Sequence, residues 1–267
     1  MLGQLAVGTL LSGLVAGFAR KRGSLSDSGA MAALVVGAAI YCSGGPRWFA
    51  ALLLFFVTST LLGRVGRARK EALRREYSKG DTRDAWQVLA NGGVAALCGL
   101  LVAFSGDPSS AFGCLAGGFV GALATATGDT WATEIGPLSS RAPRSLLGLR
   151  RVPAGSSGAV SGLGLVATGA GGGLVGLVFG LWEPSEIVAW TLLGGLSGAA
   201  GAFVDSLLGA RLQARFFCER CARACEGAVH HCGARTRHSG GLRWFGNDTV
   251  NVIATICGAA LGALLRL

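Results

Sequence analysis

Charged residues are scarce in this chain, 14% of 267 positions, against roughly 25% in a soluble domain. Proline is scarce as well, with 6 residues against 45 glycines, and no G-X-Y period runs through them. A collagen is therefore excluded, and 51% hydrophobic residues exclude a disordered tract. Histidine occurs three times, always between positions 230 and 238, so a histidine base or ligand is unavailable elsewhere. The first basic cluster, Arg20, Lys21 and Arg22, follows the first apolar run instead of preceding it, so a cleavable signal peptide is not expected. With a mean hydropathy of +0.53, what remains is a polytopic membrane protein.

Eight apolar runs have about the length needed to cross ~30 Å of hydrocarbon: 2–19, 27–45, 47–63, 86–105, 109–128, 157–181, 186–208 and 248–265. The first three are short or closely spaced, which leaves seven spans as an alternative. The basic residues support eight. Twenty-two of the 24 Lys and Arg fall in the loops after odd-numbered spans, and only Arg47 and Arg266 do not. By the positive-inside rule these loops face the cytoplasm and both termini lie outside. The expected class is an all-α transmembrane bundle. Residues 1–209 form its first seven spans, 210–247 a cytoplasmic Cys/His-rich loop and 248–267 the last span. The net charge of +10 marks a membrane face, not a nucleic-acid surface. The compact length suits a bacterial plasma membrane.

Glycines recur every four residues at Gly13/Gly17, Gly113/Gly117/Gly121, Gly172/Gly176/Gly180, Gly194/Gly198 and Gly258/Gly262. Such stripes let helix backbones approach closely. They predict a close-packed bundle, with a homodimer allowed through a leftover face.

Polar residues in or beside spans are functional candidates, and here they gather on the basic side. Ser24, Ser26, Asp27 and Ser28 open span 2, and Gln87 and Asn91 open span 4 one helical turn apart. Asp129, Thr130 and Glu134 close span 5, Asp205 and Ser206 close span 7, and Asn247, Asp248, Thr249 and Asn251 open span 8. Outer loops hold only Asp107, Glu183 and Glu186 as acids. Asp27 and Asp248 fit helix caps equally well. Asp129 and Asp205 oppose the dipole at helix C-terminal ends, where a bound cation explains them better.

The stretch 128–162 is densest in chemistry. Asp129 and Glu134 are hard ligands suited to Mg²⁺. Arg141, Arg144, Arg150 and Arg151 suit phosphate, and Gly155-Ser156-Ser157-Gly158 leads into span 6, where a helix N-terminus would form an anion site. These are the parts of a phosphoryl or nucleotidyl transferase. A basic loop contacting anionic headgroups is the alternative.

Of 8 cysteines, Cys42, Cys98, Cys114 and Cys257 lie inside spans. The others cluster as CERCARACEGAVHHCG. Its CxxC and following HHC suit a tetrahedral structural zinc site made by Cys218, Cys221, Cys232 and one of His231 or Cys225. A redox dithiol or free thiols are the alternative.

A resemblance covers residues 24 to 251. Ser24-Leu25-Ser26 with Ser28-Gly29-Ala30, Gln87-Val88-Leu89-Ala90-Asn91-Gly92, Gly128-Asp129-Thr130 with Ala132 and Glu134, Pro143-Arg144, Val152-Pro153 with Gly155 and Gly158, Asp205-Ser206-Leu207-Leu208-Gly209, and Asn247-Asp248 with Val250-Asn251 stand in order. In these the chain resembles the integral membrane family long catalogued as domain of unknown function ninety-two. That family includes the plant phytyl-phosphate kinase and a eukaryotic transmembrane protein of unknown role. The Gly128-Asp129 stretch is also similar to a motif of CTP-dependent polyprenol kinases. There a Lys-Ser and a Glu-Gly follow; here Arg144-Ser145 and Gly155-Ser156 stand in those places without the Glu, which leaves the nucleotide open.

Residues and resemblance together point to a nucleotide-dependent kinase, with CTP as expected donor and an isoprenyl or other lipid monophosphate as acceptor. Asp129, Asp205 and Asp248 would hold Mg²⁺, with Glu134 assisting. Arg144 and Arg151 would neutralise the transferring group, Gly155 to Gly158 would cradle phosphate, and Gln87, Asn91, Asn247 and Asn251 would orient nucleotide or acceptor. The acceptor phosphate is already a nucleophile and needs no strong base. A transporter or flippase and a non-catalytic scaffold are the other readings. Ion-coupled transport calls for polar residues deep in the spans, whereas mid-span positions here are Ala, Gly, Leu and Val.

Overall fold

The computed structural model describes residues 2–66, 82–105, 108–153, 156–225, 227–230 and 232–267, with residues 108–111 described by backbone alone. The described residues form seven helices: α1 (Leu2–Lys21), α2 (Asp27–Leu62), α3 (Ala85–Phe104), α4 (Pro108–Ile135), α5 (Gly162–Gly180), α6 (Ile187–Arg211) and α7 (Asn247–Leu264). Short strands β1 (Arg144–Ser145) and β2 (Ala159–Val160) pair in the α4–α5 connection. Strands β3 (Arg215–Cys218), β4 (Arg223–Cys225) and β5 (Arg237–Gly240) form a small antiparallel sheet between α6 and α7, so the bundle is all-α but its connections are not.

Helix α2 is not one rod. Gly45 takes φ 64, ψ −152 and Pro46 follows it, so a left-handed residue meets one that cannot donate its N–H. Eight residues of straight helix span about 12 Å, yet the rings of Tyr41 and Phe49 lie 5.7 Å apart in an edge-on pair. The chain has folded back, and the apolar runs 27–45 and 47–63 are the two legs of a helical hairpin. Counting both legs, the helices correspond one to one with the eight apolar runs. Among the described residues, six helices, with α2 counted as one, are long and apolar enough to cross a membrane by length and composition.

Helix α4 is the centre. Ala116, Phe119, Val120, Ala122, Leu123, Ala124 and Ala126 are buried, packed by α2, α3, α5, α6 and α7. It runs past its expected end at 128 to Ile135 and stops before Gly136-Pro137, because a residue preceding proline disfavours the α region. Its hydroxyls turn inward without cost: Thr125 Oγ1 donates to the Gly121 carbonyl (2.9 Å) and also lies 3.0 Å from that of Ser197. At the end remote from the basic loops, Trp48 stacks on Phe119 (4.2 Å between centroids) and Phe179 meets Trp190 edge-on (4.7 Å).

The glycine stripes sort into two kinds. On α4 and α7, a Cβ at Gly117 or Gly121 would fall on the carbonyl of Gly262 or Gly258; on α5 and α6, one at Gly172 or Gly176 would fall on that of Gly194 or Trp190. These are backbone-to-backbone contacts. Gly17, by contrast, is exposed and has nothing within 4 Å of such a Cβ, so the Gly13/Gly17 stripe is not a contact of this kind.

The two arginines outside the four basic loops are both neutralised. Arg47 pairs with Glu183 (3.0 Å), donates to the Phe179 carbonyl (2.9 Å) and lies 3.9 Å over the Phe179 ring. Arg266 pairs with Glu186 (2.7 Å) and lies 4.1 Å over Trp190. The Arg47 hydrogen bond, joined by one from Trp190, holds the Glu183 carboxyl below its ordinary value. A depressed carboxyl stabilises the fold above its unfolded value of about 4.3 and loses that contribution as pH falls through the lower folded value. Melting of the detergent-solubilised protein should therefore drop on acidification below pH ~4; the Glu183→Gln variant should lack that part of the drop. Arg47→Ala should cost about 2 kcal/mol through the lost stack and the stranded carboxylate.

Candidate functional site at the basic end of the bundle

At the opposite end the helices part around a cavity of about 950 Å³, near the upper limit for small-molecule sites. Its charged wall consists of Asp129 and Glu134 from α4, Asp205 from α6, and Arg22, Arg64 and Arg83 from the connections and helix ends beside them. Gln87 and Asn91 of α3, Gln213 after α6, and Asn247 and Asn251 of α7 add amides, while Ser156, Ser157 and Gly158 close one side. Residues separated by up to 229 positions thus meet in one chamber, with three acids and three arginines among its described wall residues.

The local chemistry explains the placement. Ser26 caps α2 by accepting from the Gly29 N–H (3.1 Å). The segment Ser24-Leu25-Ser26 pairs with Arg83: the Ser26 N–H donates to the Arg83 carbonyl and the Arg83 N–H to that of Ser24, each at 3.0 Å. Asp84 then caps α3 in a capping box with Gln87, whose Oε1 accepts from the Asp84 N–H (3.2 Å). Arg83 is therefore fixed on both sides. Its guanidinium lies 5.5 Å over the Phe55 ring. Burial pulls its pKa below the ordinary arginine value, while the charge of Glu134 pushes it back up. Gln87 spends its carbonyl oxygen on the cap, and Asn91 donates to the Gln87 carbonyl (2.8 Å).

Three of the expected groups lie elsewhere than the sequence suggested. The Gly-Ser-Ser-Gly run is not at a helix N-terminus: β2 intervenes, α5 begins at Gly162, and Ser161 caps it by accepting from the Gly164 N–H (3.0 Å). Gly158 instead takes φ +73, and a Cβ there would fall on the Ser206 carbonyl, so it docks the loop against α6 while Ser156 and Ser157 face the cavity. Gly155 lies outside the described residues. Arg144 and Arg151 are exposed, bridged to one another through their backbones beside β2, and do not line the cavity. Asp248 sits in the first turn of α7, where a carboxylate favours the helix dipole, and it too is outside the cavity wall, which Asn247 and Asn251 supply.

Sequence reasoning missed Arg22, Arg64, Arg83 and Gln213 as wall residues. A signal existed for Arg83, since it immediately precedes the Asp84-x-x-Gln87 capping pattern; none existed for Gln213.

A smaller apolar pocket of about 70 Å³ adjoins the cavity between α1, both legs of α2 and α3. Val15, Ala16, Val36, Leu52 and Phe56 line it, and it shares Arg83, Gln87 and Asn91 with the cavity.

Comparison with known proteins agrees with this architecture. Protein PGR of Arabidopsis thaliana is 32% identical over 95% of this chain and 93% of its own length. An uncharacterized membrane protein of Methanocaldococcus jannaschii is 29% identical over 98% of this chain and 94% of its own. Protein VTE6, chloroplastic, of Arabidopsis thaliana is 23% identical over 91% of this chain and 65% of its own. No solved structure matches. The family model described as Integral membrane protein DUF92 matches residues 10–259, and the chain, a multi-pass helical membrane protein, belongs to that family.

Proposed function

We propose that this protein is a membrane-embedded kinase that transfers a phosphoryl group from a nucleoside triphosphate, CTP in the first instance, to an isoprenyl or related lipid monophosphate. The observation that carries this reading is the shared wall: a polar chamber lined by acids and arginines meets an apolar pocket at Arg83, Gln87 and Asn91. A lipid phosphate has the same division. Its headgroup would sit at Arg83 and its chain would start against Val36, Leu52 and Phe56, then continue into lipid, since about 70 Å³ holds only the first carbons. Resemblance to the family that includes phytyl-phosphate kinase supports the same substrate class. The arginine-rich loops at this end support a cytoplasmic position for it, in a membrane such as a bacterial plasma membrane.

In the reaction an oxygen of the acceptor monophosphate attacks the γ-phosphorus. The bond from that phosphorus to the β–γ bridging oxygen breaks, and nucleoside diphosphate and lipid diphosphate result. The nucleophile is already ionised, so no base is needed, and no histidine is among the described wall residues. Asp129 and Asp205 supply the hard oxygens that suit Mg²⁺ together with substrate phosphates. When bound, that ion would neutralise charge on the transferring group. Arg83 orients the acceptor, Arg22 and Arg64 bind the remaining phosphate charge, and Glu134 balances Arg83. Asn247, Asn251 and Gln213 offer hydrogen bonds to the nucleotide.

The test is to incubate the purified protein with Mg²⁺, labelled CTP or ATP, and geranylgeranyl or phytyl monophosphate. A labelled lipid diphosphate is expected. Folded protein that yields none with any pairing overturns the kinase reading and leaves the flippase or scaffold readings. Arg83→Gln should raise KM for the acceptor by about 10- to 100-fold, the loss of one charge-assisted contact, with a smaller effect on KM for the nucleotide.

A further inference from the structure

The connection between α6 and α7 contains the one group, among the described residues, of three or more cysteine, histidine or carboxylate side chains whose ligand atoms converge closely enough to hold a metal ion by themselves. The Sγ atoms of Cys218, Cys221 and Cys232 and a ring nitrogen of His230 all lie within 4.8 Å of one another. Two tight turns bring them together. Strand β3 ends at Cys218, which pairs with Arg223 on β4, so Cys221 falls in the turn between, where Ala222 takes φ 52. In the second turn the His230 N–H donates to the Ala234 carbonyl and the Gly233 N–H to that of His230, each at 2.9 Å, with Gly233 at φ 79. One turn offers Cys-x-x-Cys and the other His-x-Cys.

The spacing fits zinc. Cys218 and Cys232 Sγ are 3.7 Å apart, and zinc–sulfur bonds of about 2.3 Å at tetrahedral angles require about 3.8 Å. His230 Nδ1 is 3.1 Å from the Cys232 Sγ. Three thiolates and an imidazole select zinc over magnesium or calcium. Arg215, Arg220, Arg223, Arg235 and Arg237, all in the same connection, offset the net negative charge of such a centre.

A second observation is independent of the spacing. Between 215 and 240 the only buried hydrophobic side chains, among the described residues, are Cys218 and Cys225, joined by the buried His230. A lobe of this size with so little apolar interior needs a staple. Its root is stitched to the cavity rim: the Ala214 N–H donates to the Phe245 carbonyl and the Leu242 N–H to that of Leu212, each at 2.9 Å. Between these bonds lies Gln213, and just beyond them Asn247, both in the cavity wall.

We propose that Cys218, Cys221, His230 and Cys232 bind one zinc ion, which serves as the core of this lobe and secures the rim of the cavity. The four protein ligands leave no open position, so the centre is structural. The sequence favoured His231 or Cys225 as fourth ligand; His231 lies outside the described residues, and Cys225 Sγ is directed at the Gly227 carbonyl (3.7 Å). The proposal does not depend on the kinase reading.

Zinc content of the full-length protein, purified in detergent under reducing conditions and equilibrated with zinc, decides it. About one zinc per chain is expected, near zero for Cys218→Ser/Cys221→Ser, and unchanged for Cys98→Ser and Cys225→Ser. X-ray absorption of the wild-type protein alone should show three sulfurs at about 2.3 Å and one nitrogen at about 2.0–2.1 Å, which settles the ligand set even if a variant fails to fold. Stripping the metal should speed proteolysis within 215–240. A wild-type protein without zinc, equal zinc in the double variant, a disulfide among these cysteines, or retention by His230→Ala with loss in Cys225→Ser would overturn the assignment.

Discussion

Asp129→Asn should reduce phosphoryl transfer by about a thousandfold or more while the helical circular dichroism and melting temperature stay close to wild type. The carboxylate lies in the cavity wall on α4, the best-packed helix. Asn has the same shape, so packing survives and the charge does not. A cation held by hard oxygens contributes several kcal/mol of transition-state stabilisation, and each 1.4 kcal/mol is tenfold. Asp205→Asn, on the facing helix α6, should behave alike. Asp248→Asn, outside the wall, should lose less than tenfold. This contrast is the useful part. Equal losses at 129 and 248 would mean that the carboxylates act through something other than the cavity, and a normal rate for Asp129→Asn would remove the metal assignment altogether.

The second large effect concerns assembly. Gly176→Leu should prevent accumulation of folded protein, at a cost above ~4 kcal/mol, the range reached when a substitution leaves no room to relax. A Cβ at Gly176 falls on the Trp190 carbonyl of α6, and Trp190 itself is buried against Phe179. Neither backbone can retreat without opening the aromatic cluster. Gly17→Leu is the matched control: the same change, in a helix of similar length, at a position with nothing within 4 Å. It should fold normally, as read by size-exclusion chromatography of a fluorescent fusion. Parallel loss in both would show that the effect is one of glycine in membrane helices generally and not of this contact.

Much of the arrangement is legible in the sequence. The eight apolar runs, the side on which arginine accumulates, and the collection of polar residues at one set of helix ends all follow from length and charge, which need no knowledge of neighbours. What failed to show was direction around each helix. Where every face is Gly, Ala, Leu or Val, periodicity does not say which side meets protein, so Gly17 read the same as Gly176 and Asp248 the same as Asn247. Connections were harder still. Arg144 and Arg151 looked like phosphate ligands by type, yet a short strand pair holds them outside. Arg83 looked like one more basic loop residue, yet a backbone bridge to Ser24-Leu25-Ser26 and a capping box turn it into a wall. Of the two adjacent histidines, His230 is the one the described residues place in the cysteine cluster, and nothing in the residue types at 230 and 231 distinguishes them.

The Arg47–Glu183 pair has a consequence for the order in which the chain is made. Arg47 sits in the bend of a hairpin completed by residue 62, but its carboxylate partner is 136 residues further on. Until Glu183 has been synthesised, the first hairpin carries an uncompensated cation and lacks the Phe179 ring it rests on. The early spans are thus provisional, and ribosome-bound intermediates ending before position 183 should remain extractable or misoriented where longer ones are not. The chamber at the far end draws its walls from both the early and the late helices, from Arg22 to Asn251, so it is complete only once the last helix has been made.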